Sequence, residues 1–162
     1  MIVVADASPL IFLGKVRRLD LLDKAVGGDV HLPESVHREV MLPGLDPAEA
    51  EYLAEFLKTC TIEAVRQPRQ FARAMSAADN DALTLALRHR ATFLLCDDRV
   101  TRLAAETEGI RSLGTLGILL RSLRQKATTP AETRALLERL IRSHSFRIGI
   151  ELYRAVLEEI GD

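Results

Sequence analysis

The sequence predicts an α/β protein built on a parallel sheet, and three observations support this prediction. Two strand-like runs, residues 2–5 and 91–96, are largely apolar at consecutive positions, and each is followed directly by aspartate. Such runs are typical of strands that are covered on both faces. Strand-like and helical segments alternate up to residue 113, which is the pattern of βαβ units, and only helical patterns follow.

Each element of this pattern can be placed on the sequence. Weaker strands are predicted at residues 29–32, 61–65 and 110–113. Helical periodicity places the intervening helices at residues 9–14, 17–25, 33–41, 47–59, 79–90 and 99–108. Pro33 and Pro47 stand where a first helical turn accepts proline, Asp46 is a predicted N-cap, and Gly109 is expected to end the helix before the last strand.

The sequence after residue 113 is predicted to be wholly helical. Three further helices are expected at residues 116–124, 130–142 and 148–160, the second of them capped by Thr128 or Thr129. No internal repeat, low-complexity stretch or break in composition marks a linker. We therefore expect one domain over residues 1–162, with a core of residues 1–125 and a helical appendage of residues 126–162.

Composition excludes several classes of protein. The 162 residues carry 22 Lys and Arg against 23 Asp and Glu, so the net charge of −1 provides no general attraction to polyanions or acidic membranes. Cys60 and Cys96 form no CxxC motif or Cys/His cluster, which argues against a disulfide scaffold and a structural zinc site. The four histidines lack metal-ligand spacing and are interpreted as surface or core residues. No apolar run approaches the ~18 residues of a membrane span, and no signal peptide is visible, so a cytoplasmic protein is expected.

Carboxylates follow the two strongest predicted strands. Asp6 ends the first, and the pair Asp97 and Asp98 ends the other. Parallel strands end along one edge of the sheet, where ligands bind, and neighbouring strands lie ~4.8 Å apart. These carboxylates are therefore expected to share ions or waters.

Acids on two predicted helices can join this group. Glu39 lies on the flank of the apolar stripe formed by Val36 and Val40, although an ordinary solvated helix acid is the alternative. Asp79 and Asp81 occupy the first turn of another helix. Asp79 is interpreted as a helix cap, and Asp81 as the better metal ligand.

Four acids at one edge repel one another unless a cation is present. Oxygen ligands without a His or Cys cluster favour Mg²⁺ or Mn²⁺. Such an ion activates water for attack on phosphorus, so phosphodiester hydrolysis is the chemistry predicted.

Several segments resemble the successive acidic motifs of PIN-domain nucleases, which are metal-dependent ribonucleases that include toxins of VapBC-type toxin–antitoxin pairs. The resemblance runs in order through roughly the whole chain, and the later part is similar to a prokaryotic PIN-like subfamily that is largely uncharacterised. It implies a PIN-like α/β/α sandwich with extra C-terminal helices. The matching segments are residues 3–11, 32–40, 81–86, 94–99, 114–120, 146–148 and 152–153.

The resemblance assigns the acids of the family to particular positions. The first acid falls on Asp6, the second on Glu39, the third on Asp81 and the last on Asp97 or Asp98. The implied metal ligands are Asp6, Asp81 and one or both of Asp97 and Asp98. Cys96 or Leu95 stands where the family commonly has a hydroxyl residue two positions before the last acid.

The remaining expectations concern substrate and partners. Ser8 matches a small polar position near the metal, and Arg99 and Arg102 are expected to meet phosphates, although solvated surface arginines are the alternative. The resemblance implies RNA as the substrate and, for a toxin, an antitoxin partner; a homodimer is also expected. Two alternatives remain open. One is a PIN-like module that binds RNA or protein without cutting, and the other is an aspartate-dependent phosphohydrolase, whose usual second Asp is replaced here by Ser8.

Overall fold

A five-stranded, all-parallel sheet lies between layers of helices, which confirms the predicted α/β/α fold class. The structure is a computed structural model that describes residues 1–42 and 44–161. Its strands are β1 (Ile2–Ala5), β2 (Asp29–Pro33), β3 (Thr61–Glu63), β4 (Phe93–Leu95) and β5 (Ser112–Leu113). Its helices are α1 (Ala7–Lys15), α2 (Asp20–Val26), α3 (Glu34–Val40), α4 (Pro47–Leu57), α5 (Ala77–Arg88), α6 (Arg99–Thr107), α7 (Thr115–Arg124), α8 (Pro130–Ser143) and α9 (Ile150–Ile160).

The strand order is β3-β2-β1-β4-β5, so successive strands are added on one side of β1 and then on its other side. The chain moves outward from β1 to β2 and β3, then crosses back to β4 and β5. Right-handed crossovers place α1, α2 and α4 on one face and α5 and α6 on the other, while the short helix α3 contacts both α1 and α5. Packing of α1 against α4, and of α5 against α6 and β1, agrees with this arrangement. The carboxyl end of β1 is therefore the switch point where an open α/β sheet forms a crevice.

The central strands are buried on both faces. Val3, Val4 and Ala5 of β1 and Leu94 and Leu95 of β4 have no exposed surface. This burial explains why both runs are apolar at consecutive positions. The register pairs Ala5 with Leu95, so the residues that follow the two strands emerge side by side.

Several predicted element boundaries are corrected by local hydrogen bonding. Pro33 is not in the first turn of α3 but ends β2 and forms the N-cap of α3, with extended backbone. Helix α5 begins at Ala77, earlier than predicted, because Ser76 is its N-cap. Helix α1 also begins earlier than predicted, because the Asp6 side chain caps it.

The predicted C-terminal helices are present, and α8 is capped by Thr129. Helix α7 packs against α2, where Arg121 donates a hydrogen bond to the carbonyl of Ala25. Arg124 of α7 forms an ion pair with Glu159 of α9. These two arginines therefore hold helices together. Helices α8 and α9 share a small apolar cluster of Leu137, Val156 and Ile160.

The two border strands of the sheet are short, with three residues in β3 and two in β5. Within residues 1–42 and 44–161, no helix combines the length and the apolar character needed to span a membrane.

Candidate acidic active site

Asp6 lies at the switch point of the sheet. Its backbone N–H donates to the carbonyl of Leu95 at 2.9 Å, which ties the end of β1 to the end of β4. Its side chain accepts a hydrogen bond from the N–H of Ala7 at 2.8 Å and so caps α1. Only 4% of Asp6 is exposed. The carboxyl group is thus fixed at the base of the crevice.

Asp79 is the acid that meets Asp6. It is the third residue of α5, where it forms a reciprocal capping box with Ser76: each backbone N–H donates to the other side chain, at 3.0 and 3.1 Å. The same carboxyl group lies beside the Asp6 carboxyl and raises its pKa. The predicted capping role of Asp79 and its position beside Asp6 are therefore compatible.

The carboxyl of Asp6 is strongly perturbed. Burial, the neighbouring Asp79 carboxylate and, more weakly, Glu39 together raise the pKa of Asp6 to about 8, against the opposing effect of the hydrogen bond from Ala7. A buried carboxyl group with this environment is unfavourable in its ionised form unless a cation is near. The local charge therefore favours either a proton or a metal ion at Asp6.

Glu39 stands at the rim of this group. It projects from α3, which packs against α5, and it is exposed. Partial burial and the charge of Asp79 raise the pKa of Glu39. Glu39 therefore shares the electrostatic environment of Asp79 and Asp6 while remaining accessible from solvent.

Asp97 is held by the start of α7. Its Oδ1 accepts a hydrogen bond from the N–H of Thr115 and its Oδ2 accepts one from the Thr115 hydroxyl, both at 2.7 Å. A Cβ at Gly114 would lie 2.7 Å from Asp97 Oδ1, so any larger residue at this position would have to displace the carboxylate. Burial raises the pKa of Asp97, although the Thr115 hydrogen bonds and the charge of Arg102 partly offset the effect.

Asp98 has a different role from Asp97. It is exposed, and its Oδ2 accepts hydrogen bonds from the N–H and the hydroxyl of Thr101 at 2.8 and 3.0 Å. It is therefore the N-cap of α6. Of the two acids left open by the sequence, Asp97 is the one that lies half-buried beside the strand end, next to Cys96.

Asp81 is directed away from Asp79. Two successive steps of 100° along a helix place residues 79 and 81 about 200° apart, so they face different neighbours. Asp81 Oδ2 accepts a hydrogen bond at 2.6 Å from the hydroxyl of Ser35 on α3. This bond links α3 to α5, and the acid beside Asp6 is Asp79.

The predicted substrate-binding residues are spread around the crevice. Ser8 lies in the first turn of α1, two residues after Asp6, and is half-buried. Arg99 and Arg102 are both exposed on α6. Arg102 also lines a groove of about 310 Å³ with Asp97 and Gly114, so of these two arginines it is the one that adjoins Asp97.

Two relationships at this site were not predicted from the sequence. The Asp6–Asp79 contact depends on where α5 begins, and the capping pattern of Ser76 with Asp79 three residues later was the available signal. The hydroxyl that holds Asp97 comes from Thr115, not from a residue two positions before the acid. Gly114 and Thr115 lie in one of the segments that resemble the family, residues 114–120, but the sequence alone assigned no function to them.

Comparison with known proteins agrees with the fold. The chain matches over residues 2–162 the model of the family DUF3368, described as a PIN domain. A solved structure of a PilT N-terminus domain protein from the hyperthermophilic archaeon Sulfolobus solfataricus is similar, with a TM-score of 0.57 and 16% identity, covering 76% of this chain and 94% of the other. No curated protein matches the chain at a significant level. The match over nearly the whole length shows that the chain belongs to the PIN-domain family, which has a nuclease-type fold.

Proposed function

We propose that the chain is a divalent-metal-dependent endoribonuclease that hydrolyses RNA phosphodiester bonds. The observation that carries this proposal is the buried Asp6 carboxyl placed against Asp79 at the switch point of the sheet. Asp6 and Asp79 cap separate helices, and neither cap requires the two carboxyl groups to lie beside each other. Their contact is the kind of arrangement that a bound cation stabilises.

The donor set fits Mg²⁺ or Mn²⁺. Asp6, Asp79 and Asp97 offer carboxylate oxygens, which are the ligands these ions prefer, and Glu39 lies at the solvent-exposed rim. When bound, such an ion lowers the pKa of a coordinated water and stabilises negative charge on a phosphoryl oxygen. In this proposal Asp6, Asp79 and Asp97 hold the metal, and Asp81, tied to Ser35, serves to position α5.

The neighbouring residues supply positioning and substrate contacts. Thr115 fixes the orientation of Asp97 through two hydrogen bonds, and each carboxylate oxygen keeps a further lone pair for a metal ion. Arg102, beside Asp97, provides a positive charge for a phosphate of the RNA. The net charge of −1 indicates that few such contacts are made.

The proposal is tested by cleavage of a labelled single-stranded RNA with Mg²⁺, with Mn²⁺ and with chelator. Wild type is expected to cut only with metal, Asp6→Asn to lose cleavage, and Asp23→Asn, which alters an exposed acid on α2, to retain it. Cleavage in chelator, or equal cleavage by Asp6→Asn, would contradict the proposal. Failure of wild type to cut any RNA would favour the non-cutting RNA- or protein-binding module.

We further propose that this ribonuclease is the toxin of a toxin–antitoxin pair. An antitoxin would inhibit by inserting a basic side chain that pairs with Asp6 or Asp79 in place of the metal. Assembly as a homodimer belongs to the same expectation. A small antitoxin-like reading frame beside the gene, together with loss of cleavage when its product is added, would support it.

A further inference from the structure

Three residues that are distant in the sequence meet on one face of the sheet. His31 lies in β2, Glu63 ends β3, and His89 follows the last residue of α5. The register pairs His31 with Thr61, so Glu63, two residues further along β3, projects from the same face as Thr61. One ligand atom from each of the three side chains lies within 4.8 Å of the others.

The three side chains already converge through their polar atoms. His31 Nδ1 lies 2.5 Å from Glu63 Oε1. His89 Nε2 lies 2.8 Å from Oε1 and 3.0 Å from Oε2 of the same carboxylate. The two imidazole rings are 4.8 Å apart between centroids. Two ring nitrogens and one carboxylate group therefore converge on a common centre.

This cluster is separate from the acidic site. Asp79 and His89 are ten residues apart at opposite ends of α5, which is about 15 Å along the helix axis. His31 pairs with Val4, two residues before Asp6, on a different strand. The cluster and the acidic site are therefore independent features of the fold.

We propose that His31, Glu63 and His89 form a second metal site, specific for a zinc-class transition-metal ion. Two imidazoles and one carboxylate are a donor set that zinc accepts with a further position open to water. Ligands bound at about 2.0–2.1 Å to one ion are at most about 4.2 Å apart, so the side chains need to move by less than about 1 Å. This set contains nitrogen donors, which Mg²⁺ does not prefer, and so it differs in selectivity from the acidic site.

The surroundings permit entry of an ion. The side chains of His31, Glu63 and His89 are 13%, 29% and 27% exposed. Burial alone would raise the pKa of Glu63, but the hydrogen bonds from the two histidines offset this and hold the pKa below its usual value. The carboxylate is therefore ionised near neutral pH. A metal in this site would join the border strand β3 to β2 and α5, so it would have a structural role.

The site is tested with chelator-stripped full-length protein titrated with Zn²⁺ by calorimetry, in excess Mg²⁺ to occupy the acidic site. Wild type is expected to bind one Zn²⁺, and His89→Gln to bind at least tenfold more weakly. His37→Gln on α3 and Asp6→Asn are matched controls that should bind as wild type does. Absence of zinc binding, equal binding by His89→Gln, or zinc binding lost only in Asp6→Asn would overturn the proposal.

A second measurement uses only the wild-type protein, so its result does not depend on whether a variant folds. The chain has four histidines, so their ring resonances can be followed individually by NMR during the titration. Zn²⁺ should shift the rings of His31 and His89 and leave those of His37 and His144 unchanged. Shifts confined to His37 or His144, or equal shifts of all four rings, would overturn the proposal.

Discussion

Thr115 holds both carboxylate oxygens of Asp97, one through its backbone N–H and the other through its hydroxyl. Thr115 is fully buried, so water cannot replace the hydroxyl if it is lost. Thr115→Val should therefore free one oxygen of Asp97 and lower metal-dependent cleavage by about 10- to 100-fold, the usual cost of removing a group that orients a metal ligand. Thr115→Ser keeps the hydroxyl and is expected to restore most activity in the same assay. Equal loss in both variants would show that packing, not the hydrogen bond, is responsible.

A second test of the Asp97 position uses two glycines. A Cβ at Gly114 would lie 2.7 Å from Asp97 Oδ1, whereas a Cβ at Gly149 would have no neighbour within 4 Å. Both glycines are N-caps with extended backbone, so alanine is strained at neither by conformation. Gly114→Ala should displace the carboxylate and weaken Mn²⁺ binding, measured by calorimetry, while Gly149→Ala should not. Equal Mn²⁺ affinity in the two variants would argue against Asp97 as a ligand.

The roles of Asp79 and Asp81 can be separated. Because Asp79 meets Asp6 and Asp81 is bonded to Ser35, Asp79→Asn is expected to remove metal-dependent RNA cleavage and Asp81→Asn to reduce it only modestly. Asn still accepts a hydrogen bond, so Asp81→Asn preserves the link to Ser35. Cleavage rates and melting temperatures of both variants provide the measurement. The opposite ranking would assign the third acid of the family to Asp81.

Stability of the metal-free protein should fall as the pH rises. The pKa of Asp6 is about 8 in the folded state and 3.8 for an unperturbed aspartate, so the folded state binds more protons between these two pH values. The stability that this proton contributes is complete below pH 3.8 and is lost as the pH rises through about 8. In chelator, the melting temperature of wild type should drop more between about pH 5 and about pH 8 than that of Asp6→Asn. Identical pH profiles would show that the Asp6 pKa is not raised.

Affinity for RNA should depend weakly on salt. Each phosphate contact with a single strand contributes a slope of about −0.7 in log affinity against log salt. Arg102→Ala should therefore make the slope shallower by about that amount, and the effect of Arg99→Ala should not exceed that of Arg102→Ala. Lys58→Ala, at the exposed end of α4, should leave the slope unchanged. A steep slope that neither arginine variant reduces would place the RNA surface elsewhere, for example on the C-terminal helices.

The features of this fold that depend on residues adjacent in the sequence were predictable. The apolar runs identified β1 and β4, and the aspartates that follow them lie at the same sheet edge because the register pairs Ala5 with Leu95. For the contact between Asp79 and Asp6, the capping pattern of Ser76 with Asp79 indicated where α5 begins, but not that this end of α5 packs against the end of β1. Contacts such as that between Thr115 and Asp97, 18 positions apart, depend on the packing of separate elements.

The two border strands have a consequence for the behaviour of the protein at high concentration. With three residues in β3 and two in β5, the sheet presents few unpaired peptide groups at either side. A foreign strand could form only a short ladder there, too short to template fibril growth. The most apolar part of the sheet, β1 and β4, lies inside these borders and is shielded from edge-to-edge aggregation.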